Sequence, residues 1–184
     1  MHDLLLQDRM FMINIRVSKR TSLSLSLSLS LSYVLQHQRT DAFITNSSRY
    51  YELETLILKR CPKITDKTFD VLEPGCDVVP LLYDNKSVAA IPSEIKLAHL
   101  DVAQCRNITD LSLKRLSRCK RLDTLKLESL DRITDDGVLL VASSCSRLRV
   151  MDMMSVHNVT SKSISSLVHS CSGLTDLNLV RCLL

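Results

Sequence analysis

Seven cysteines and five histidines are the residues of this 184-residue chain best suited to do chemistry. A thiolate can attack a carbonyl or bind a soft metal, and an imidazole can move protons near neutral pH or ligate a metal. The spacing argues against both uses. No two cysteines form a C-x-x-C pair, and no histidine lies at ligand distance in sequence from a cysteine pair, so no metal site is expected. His2, His37, His99, His157 and His169 are scattered, with no GxSxG, HExxH or Walker signature beside them. Three glycines and no tryptophan argue against a Gly-rich nucleotide loop and an aromatic-lined pocket. The chain is expected to be no enzyme and to carry no cofactor.

The cysteines point instead to regular structure. Cys119, Cys145 and Cys171 follow one another at steps of 26 residues, and Leu122, Leu148 and Leu174 keep the same step. An L-x-x-L-x-L core recurs as Leu53, Leu56, Leu58; Leu97, Leu100, Val102; Leu122, Leu125, Leu127; Leu148, Met151, Met153; and Leu174, Leu177, Leu179. Three residues beyond each core stand Cys61, Cys105, Leu130, Val156 and Cys182. Then comes Ile-Thr-Asp, at 64–66, 108–110 and 133–135, altered to Val159-Thr160-Ser161 in the next copy. A period of this length marks a stack of similar units. The odd cysteine count fits a disulfide framework poorly. Reduced thiols in equivalent buried places are expected, and with them a reducing compartment, cytoplasm or nucleus.

The elements follow from the pattern within one unit. Alternating leucines make a short strand with one apolar face. The Thr or Asp after it caps a helix, its oxygen accepting from amides that the first turn leaves unpaired. Apolar residues at helical spacing follow, as Leu113 and Leu116, Leu139 and Ala142, or Ile164, Leu167 and Val168. One unit alone buries neither its strand face nor its helix face, so units must stack.

The stretches "LETLILKRCPKITD" (53–66), "LAHLDVAQCRNITD" (97–110) and "LDTLKLESLDRITD" (122–135) resemble cysteine-containing leucine-rich repeats of F-box and mitotic-exit-antagonist-like proteins. The resemblance covers 50–184. It implies an α/β leucine-rich-repeat solenoid, with short parallel strands on a concave face and helices on a convex one. In that family the cysteine after the strand is buried; Leu130 and Val156 interrupt the series here. Cys61 to Cys105 is 44 residues, and "YDNKSVAAIPSEI" (83–95) carries a proline unsuited to a central strand. An insertion near 79–96 is expected. Cys76 holds the place of Cys119 before it. The segment 1–49, with Ser-Leu alternating over 21–32, is expected to be low-complexity and without order, the Ser-Leu run being disordered or a weakly held strand; a signal peptide is the weaker alternative, because serine dilutes the apolar run.

Other candidates weigh less. Lys114, Arg115, Arg118, Lys120, Arg121 and Lys126 fall within 113–126 and could touch phosphates. No aromatic is interleaved for base stacking, so a solvated helix face is the better reading and nucleic acid only a weak alternative. The net charge of +4 speaks of solubility. No apolar run approaches a membrane span, and no membrane partner is expected. "NSS" (46–48), "NKS" (85–87), "NIT" (107–109) and "NVT" (158–160) match the glycosylation acceptor pattern without a convincing leader. "IPSEI" (91–95) resembles the opening of an F-box, but a repeat strand follows it, so no F-box is expected.

The concave face remains. Residues between and beside the inward leucines should point to solvent there. They are Thr55, Ile57 and Lys59; His99, Asp101 and Ala103; Thr124, Lys126 and Glu128; Val150, Asp152 and Met154; and Asp176, Asn178 and Val180. Four acids against two lysines, with exposed apolar residues among them, suit a protein partner. Asp101 and Asp152 are expected to project freely, so that reversing their charge leaves stability nearly unchanged. The resemblance implies a setting in substrate recognition or regulation for SCF-type ubiquitin-dependent degradation, with cullin-RING ligase components as partners. A partial or diverged repeat product without its own binding function is the alternative. Leu174, Leu177 and Leu179 have no helix after them in the sequence, and self-association or a partner over 174–184 is expected.

Overall fold

A computed structural model describes the backbone of Asn14–Val17 and residues 53–72 and 95–183. Cys76, the Ser-Leu run, the sequons at 46–48 and 85–87, "IPSE" (91–94) and nearly all of the expected insertion lie outside the described residues. The protein is α/β. Strands β1 (Asn14–Val17), β2 (Leu53–Ile57), β3 (His99–Asp101), β4 (Thr124–Lys126), β5 (Val150–Asp152) and β6 (Asp176–Asn178) form one sheet in sequence order. Pairs from β2 to β6 are parallel, while β1 lies antiparallel on β2. A 3-10 helix (Asp66–Leu72) follows β2, and helices α1 (Asp110–Leu116), α2 (Asp135–Ser144) and α3 (Ser161–Ser170) follow β3, β4 and β5. The arrangement is solenoid-like.

The register keeps the sequence phase. Leu56, Leu100, Leu125, Met151 and Leu177 are aligned across the sheet. The first four are buried, with Leu58, Val102, Leu127 and Met153 behind them. Side chains alternate across a strand, so this apolar row faces the helices and its neighbours face the other way. Helix burial differs from the expected set. Val138 and Val141 turn inward on α2 where Leu139 does not, and Val168 on α3 is 55% exposed. Cys119, Cys145 and Cys171 occupy equivalent buried places as free thiols.

Of the segment 1–49, expected to lack order, only Asn14–Val17 is among the described residues, and it is a strand. Asn14–Val17 pairs with β2, with a register irregularity between Arg16 and Val17. The physical reason is the sheet edge: β2 presents unpaired amides and carbonyls on its outer side, and any extended segment of the chain can satisfy them.

Ile-Thr-Asp proves to be a joint between units. Thr109, Thr134 and Thr160 are the N-caps, with extended backbone and side chains accepting from the amides of Leu111, Asp136 and Lys162. The aspartate is the first helical residue and reaches sideways. Asp66 accepts from the Thr109 amide (2.9 Å) and hydroxyl (2.8 Å). Asp110 takes the same two groups of Thr134 (2.9 and 2.6 Å), and Asp135 those of Thr160 (2.8 and 2.6 Å). Burial pushes the Asp135 carboxyl up, but bonds from Ser163 and Thr160 and the Lys162 charge outweigh that and hold it below its ordinary value. The sequon asparagines serve the same purpose: Asn107 donates to the Pro62 carbonyl (2.8 Å) and Asn158 to that of Asp131 (2.6 Å).

Each strand exit turns through a left-handed residue: Arg60, Gln104, Ser129, Ser155 and Arg181, with φ between 58° and 63°. None is glycine. The first four amides donate to the next unit, at Ala103, Glu128, Met154 and Val180 (2.8–2.9 Å). A left-handed L-residue costs about 1–2 kcal/mol, against roughly 0.5–1 kcal/mol for the extra unfolded-state freedom of glycine. Ser155 makes no side-chain hydrogen bond among the described residues, and Ser155→Gly is expected to stabilise by about 0.5 kcal/mol, read as a higher urea midpoint at unchanged slope.

Candidate functional site

The face of the sheet away from the helices carries the expected residues in rows. Thr55, His99, Thr124, Val150 and Asp176 align in one, and Ile57, Asp101, Lys126, Asp152 and Asn178 in the next. Lys59, Ala103, Glu128, Met154 and Val180 continue at the strand exits. His99, Asp176 and Val180 are exposed, and the others except Ala103 are half-buried. The expected set is therefore brought together on one surface.

Two expectations for this face need correction. Ala103 is buried, 1% exposed. Its neighbours in the row reach toward each other past it: Lys59 Nζ lies 3.1 Å from Glu128 Oε2. Gln104 donates to Glu128 Oε1 (2.7 Å), and Arg60 Nε to Gln104 Oε1 (2.9 Å). A longer side chain at 103 would stand between Lys59 and Glu128. Burial pushes the Glu128 carboxyl up, yet the Gln104 and Lys59 bonds and the Lys59 and Arg60 charges hold it below its ordinary value.

Asp101 and Asp152 do not project freely either. Each uses Oδ1 to accept from the amide two residues on, Ala103 or Met154, at 3.0 Å. Asn178 does the same for Val180 at 3.1 Å. A short acceptor side chain here pins the turn that leads into the left-handed residue. Charge reversal at Asp101 and Asp152 therefore removes two turn bonds as well as two charges, and costs stability. The same bonds hold the two carboxylates in place.

Arg60, Gln104 and Asp123 belong to the face and were not expected there. His99 Nδ1 is 3.9 Å from Asp123 Oδ1, to which the Thr124 hydroxyl also donates at 3.1 Å. Position 123 precedes the strand alternation, and positions 60 and 104 follow it. No periodic signal marks them.

The remaining candidates settle into structural places. Arg115 pairs with Asp70 (2.7 Å) and donates to the Asp66 carbonyl (2.7 Å). Lys120 donates to the Ser117 and Ser144 carbonyls (2.9 and 3.2 Å). Lys126 lies in a sheet row instead. The basic stretch 113–126 is thus divided between two sides of the molecule. Several thiols are hydrogen-bond donors, buried ones at Cys105, Cys145 and Cys171 and a half-buried one at Cys182. Cys105 reaches the Leu58 carbonyl at 3.0 Å and Cys182 that of Met153 at 3.1 Å. Cys145 lies near the Leu116 and Cys119 carbonyls (3.8 and 3.6 Å), and Cys171 near those of Ala142 and Cys145 (3.9 and 3.5 Å). Burial pushes the Cys61 and Cys119 thiols up to about 12 and those of Cys105 and Cys145 to about 11. They are neutral at physiological pH. Among the described residues no group of three or more His, Cys, Asp or Glu is placed to hold a metal ion. No helix among them is long and apolar enough to cross a membrane.

An α/β architecture with a parallel sheet and helices on one side defines the class of fold. No protein-family model matches the chain, and no curated protein does. Among solved structures it is similar to a chain in the crystal structure of the Rad7 and Elc1 complex in yeast, with a TM-score of 0.55 and 22% identity. The match covers 76% of this chain and 32% of that one, so the protein spans about a third of its neighbour's length.

Proposed function

We propose that the units are cysteine-containing leucine-rich repeats and that the chain is a protein-interaction module, gripping a partner protein on the open, concave face of the sheet. The observation that carries this reading is the pinned surface itself. Carboxylates fixed by turn bonds alternate with half-buried Ile57, Val150 and Met154 on one face. Five strands about 4.8 Å apart make a ledge of roughly 20 Å, which fits a peptide or domain surface better than a small molecule. The setting we propose is substrate recognition or regulation in SCF-type ubiquitin-dependent degradation, in the cytoplasm or nucleus, with cullin-RING components reached through another chain. The repeat motifs support it, and so does a fold neighbour whose structure is a complex of two proteins.

Thr124 and Val150 are direct partners at the centre of the ledge, and neither fixes a turn. Affinity purification of the tagged full chain is expected to recover cullin-RING ligase subunits. Val150→Arg, which sets no like charge against Thr124 or Asp176 across the strands, is expected to lose them while the melting temperature holds. Equal recovery by the variant, or chaperones alone with the native chain, would overturn the reading.

A further inference from the structure

We propose a second interaction surface, separate from the open face: the basic rim where the chain leaves each helix and enters the next strand takes an extended acidic segment of a partner protein. The rim is made of residues 95–98, 117–123 and 144–149. Backbone bonds tie the strand entries to one another. The Asp123 amide donates to the Ala98 carbonyl and the Arg149 amide to that of Asp123, both at 2.8 Å. Lys120 joins the loops as well, its ammonium reaching the Ser144 carbonyl at 3.2 Å. Lys96, Arg121 and Arg147 each stand immediately before the first leucine of a unit, so the stack sets them in file. Arg118, Lys120 and Arg149 flank them.

Six cations and one carboxylate, Asp123, occupy these stretches, a surplus of five on a chain whose net charge is only +4. All six but the half-buried Lys96 are exposed. The opposite rim, at the strand exits and helix starts, mixes the two signs: Arg106 and Arg132 stand among Asp110, Asp131, Asp135 and Asp136. Helix ends account for Lys120, which donates to the Ser117 and Ser144 carbonyls. They do not account for Lys96, Arg147 and Arg149, which have no carboxylate within ion-pair distance among the described residues. Like charges at equivalent places of adjacent units repel, so the file does nothing for the stack.

Spacing and composition choose the occupant. The rim lies where helices with axes about 8–10 Å apart give way to strands about 4.8 Å apart, so its cations recur at a distance between the two. An extended peptide presents side chains on one face about every 6.7 Å, which falls within that interval. Acids at alternate positions meet Lys96, Arg121 and Arg147 in turn. No residue of the rim is aromatic, so the bases of a nucleic-acid strand find nothing to stack on. None of the exposed large apolar residues, Leu111, Leu140, Val168, Val180 and Leu183, lies on the rim. A lipid surface would therefore be met by charge alone, without the apolar insertion that holds a protein there.

A labelled peptide of alternating Glu and Thr is the probe, read by fluorescence anisotropy against the full chain at low salt. It is expected to bind, and added salt to weaken it. Arg147→Ser with Arg149→Thr removes two of the cations; Thr175 already fills the place of Arg149 in the next unit, its amide bonded to the Arg149 carbonyl. This variant is expected to bind about fivefold more weakly, with an unchanged melt. Lys96→Gln reads the other end of the file and is expected to weaken binding about twofold. Arg106→Ser with Arg132→Thr takes the same charge from the opposite rim and is expected to match the native chain. A native chain that does not bind the peptide overturns the proposal, and so does an equal loss in the opposite-rim variant. Tighter binding of oligo(dT) or of phosphatidylserine vesicles than of the peptide also overturns it, assigning the rim to nucleic acid or to a lipid surface. Val150→Arg leaves the rim intact, so the two surfaces are tested separately.

Discussion

Asp110→Ala is expected to destabilise the protein by about 3 kcal/mol, although the residue is a half-buried polar one at a helix start. Its carboxylate accepts both the amide and the hydroxyl of Thr134. Hydrogen bonds to a charged group are worth about 1.5–3 kcal/mol each, and a donor stranded away from water adds its own cost. Thr134 is also the N-cap of α2, its oxygen accepting from Asp136 at 3.3 Å. Loss of Asp110 therefore loosens the next helix as well as the joint. Asp136→Ala is the matched control. It removes an exposed first-turn acid of the same helix, and only the dipole contribution, about 0.3–1 kcal/mol, is at stake. Equal denaturant midpoints for the two variants would show that the ladder contributes nothing.

Gly137 sharpens this test. The equivalent positions hold Ser112 and Ser163, yet a Cβ at 137 would overlap the Asp110 carboxylate and sit 2.9 Å from Leu113 Cδ1. Alanine in a helix gains about 0.5–1 kcal/mol over glycine, while overpacking costs about 1–3 kcal/mol. Because Thr134 ties the carboxylate down, overpacking should win. Gly137→Ala is expected to destabilise alone and to cost less when Asp110 is already alanine. A double-mutant cycle reads that coupling directly, and strict additivity would refute the contact.

Much of this architecture was legible because the hydrophobic period is local. Leu97, Leu100 and Val102 announce a strand, and Thr109 a helix start, within a dozen residues of each other. The sideways bonds were not legible. Asp110 meets Thr134 across a unit boundary, and nothing inside one unit says whether Thr or Asp does the capping. The left-handed turns left no trace because Arg60, Gln104, Ser129, Ser155 and Arg181 are not glycine. On the open face, alternation located the rows correctly but could not show that Lys59 and Glu128 approach each other past Ala103. Nor could it show that Arg115 spends its charge on Asp70, which lies far back in the chain. The pairing of Asn14–Val17 with β2 is a match between distant segments, chosen by an open edge rather than by a pattern.

Raising the pH above the ordinary thiol range is expected to unfold the protein. Cys61, Cys105, Cys119 and Cys145 are at most 4% exposed, and burial lifts their thiols from the ordinary 9.0 to about 11 or 12. Cys171 is shifted in the same direction by the same cause. An acid whose pKa is higher in the folded state favours folding fully below its unfolded value. That contribution is lost as pH rises toward the folded one, because the unfolded chain then binds fewer protons. Each thiol removes about 1.4 kcal/mol per pH unit over that window, so four together remove roughly 5 kcal/mol by pH 10. A domain's whole stability is about 5–15 kcal/mol. The midpoint of alkaline unfolding, followed by circular dichroism under reductant, is therefore expected near pH 10 to 11. Thiolate absorbance should rise with the transition and not before it. Cys145→Ala removes one buried thiol and is expected to flatten the decline in stability above pH 9.0 relative to its own value at neutral pH. Thiolates that form while the fold persists would show that these sulfurs reach water in the native state, and the buried series would then be no constraint on the stack.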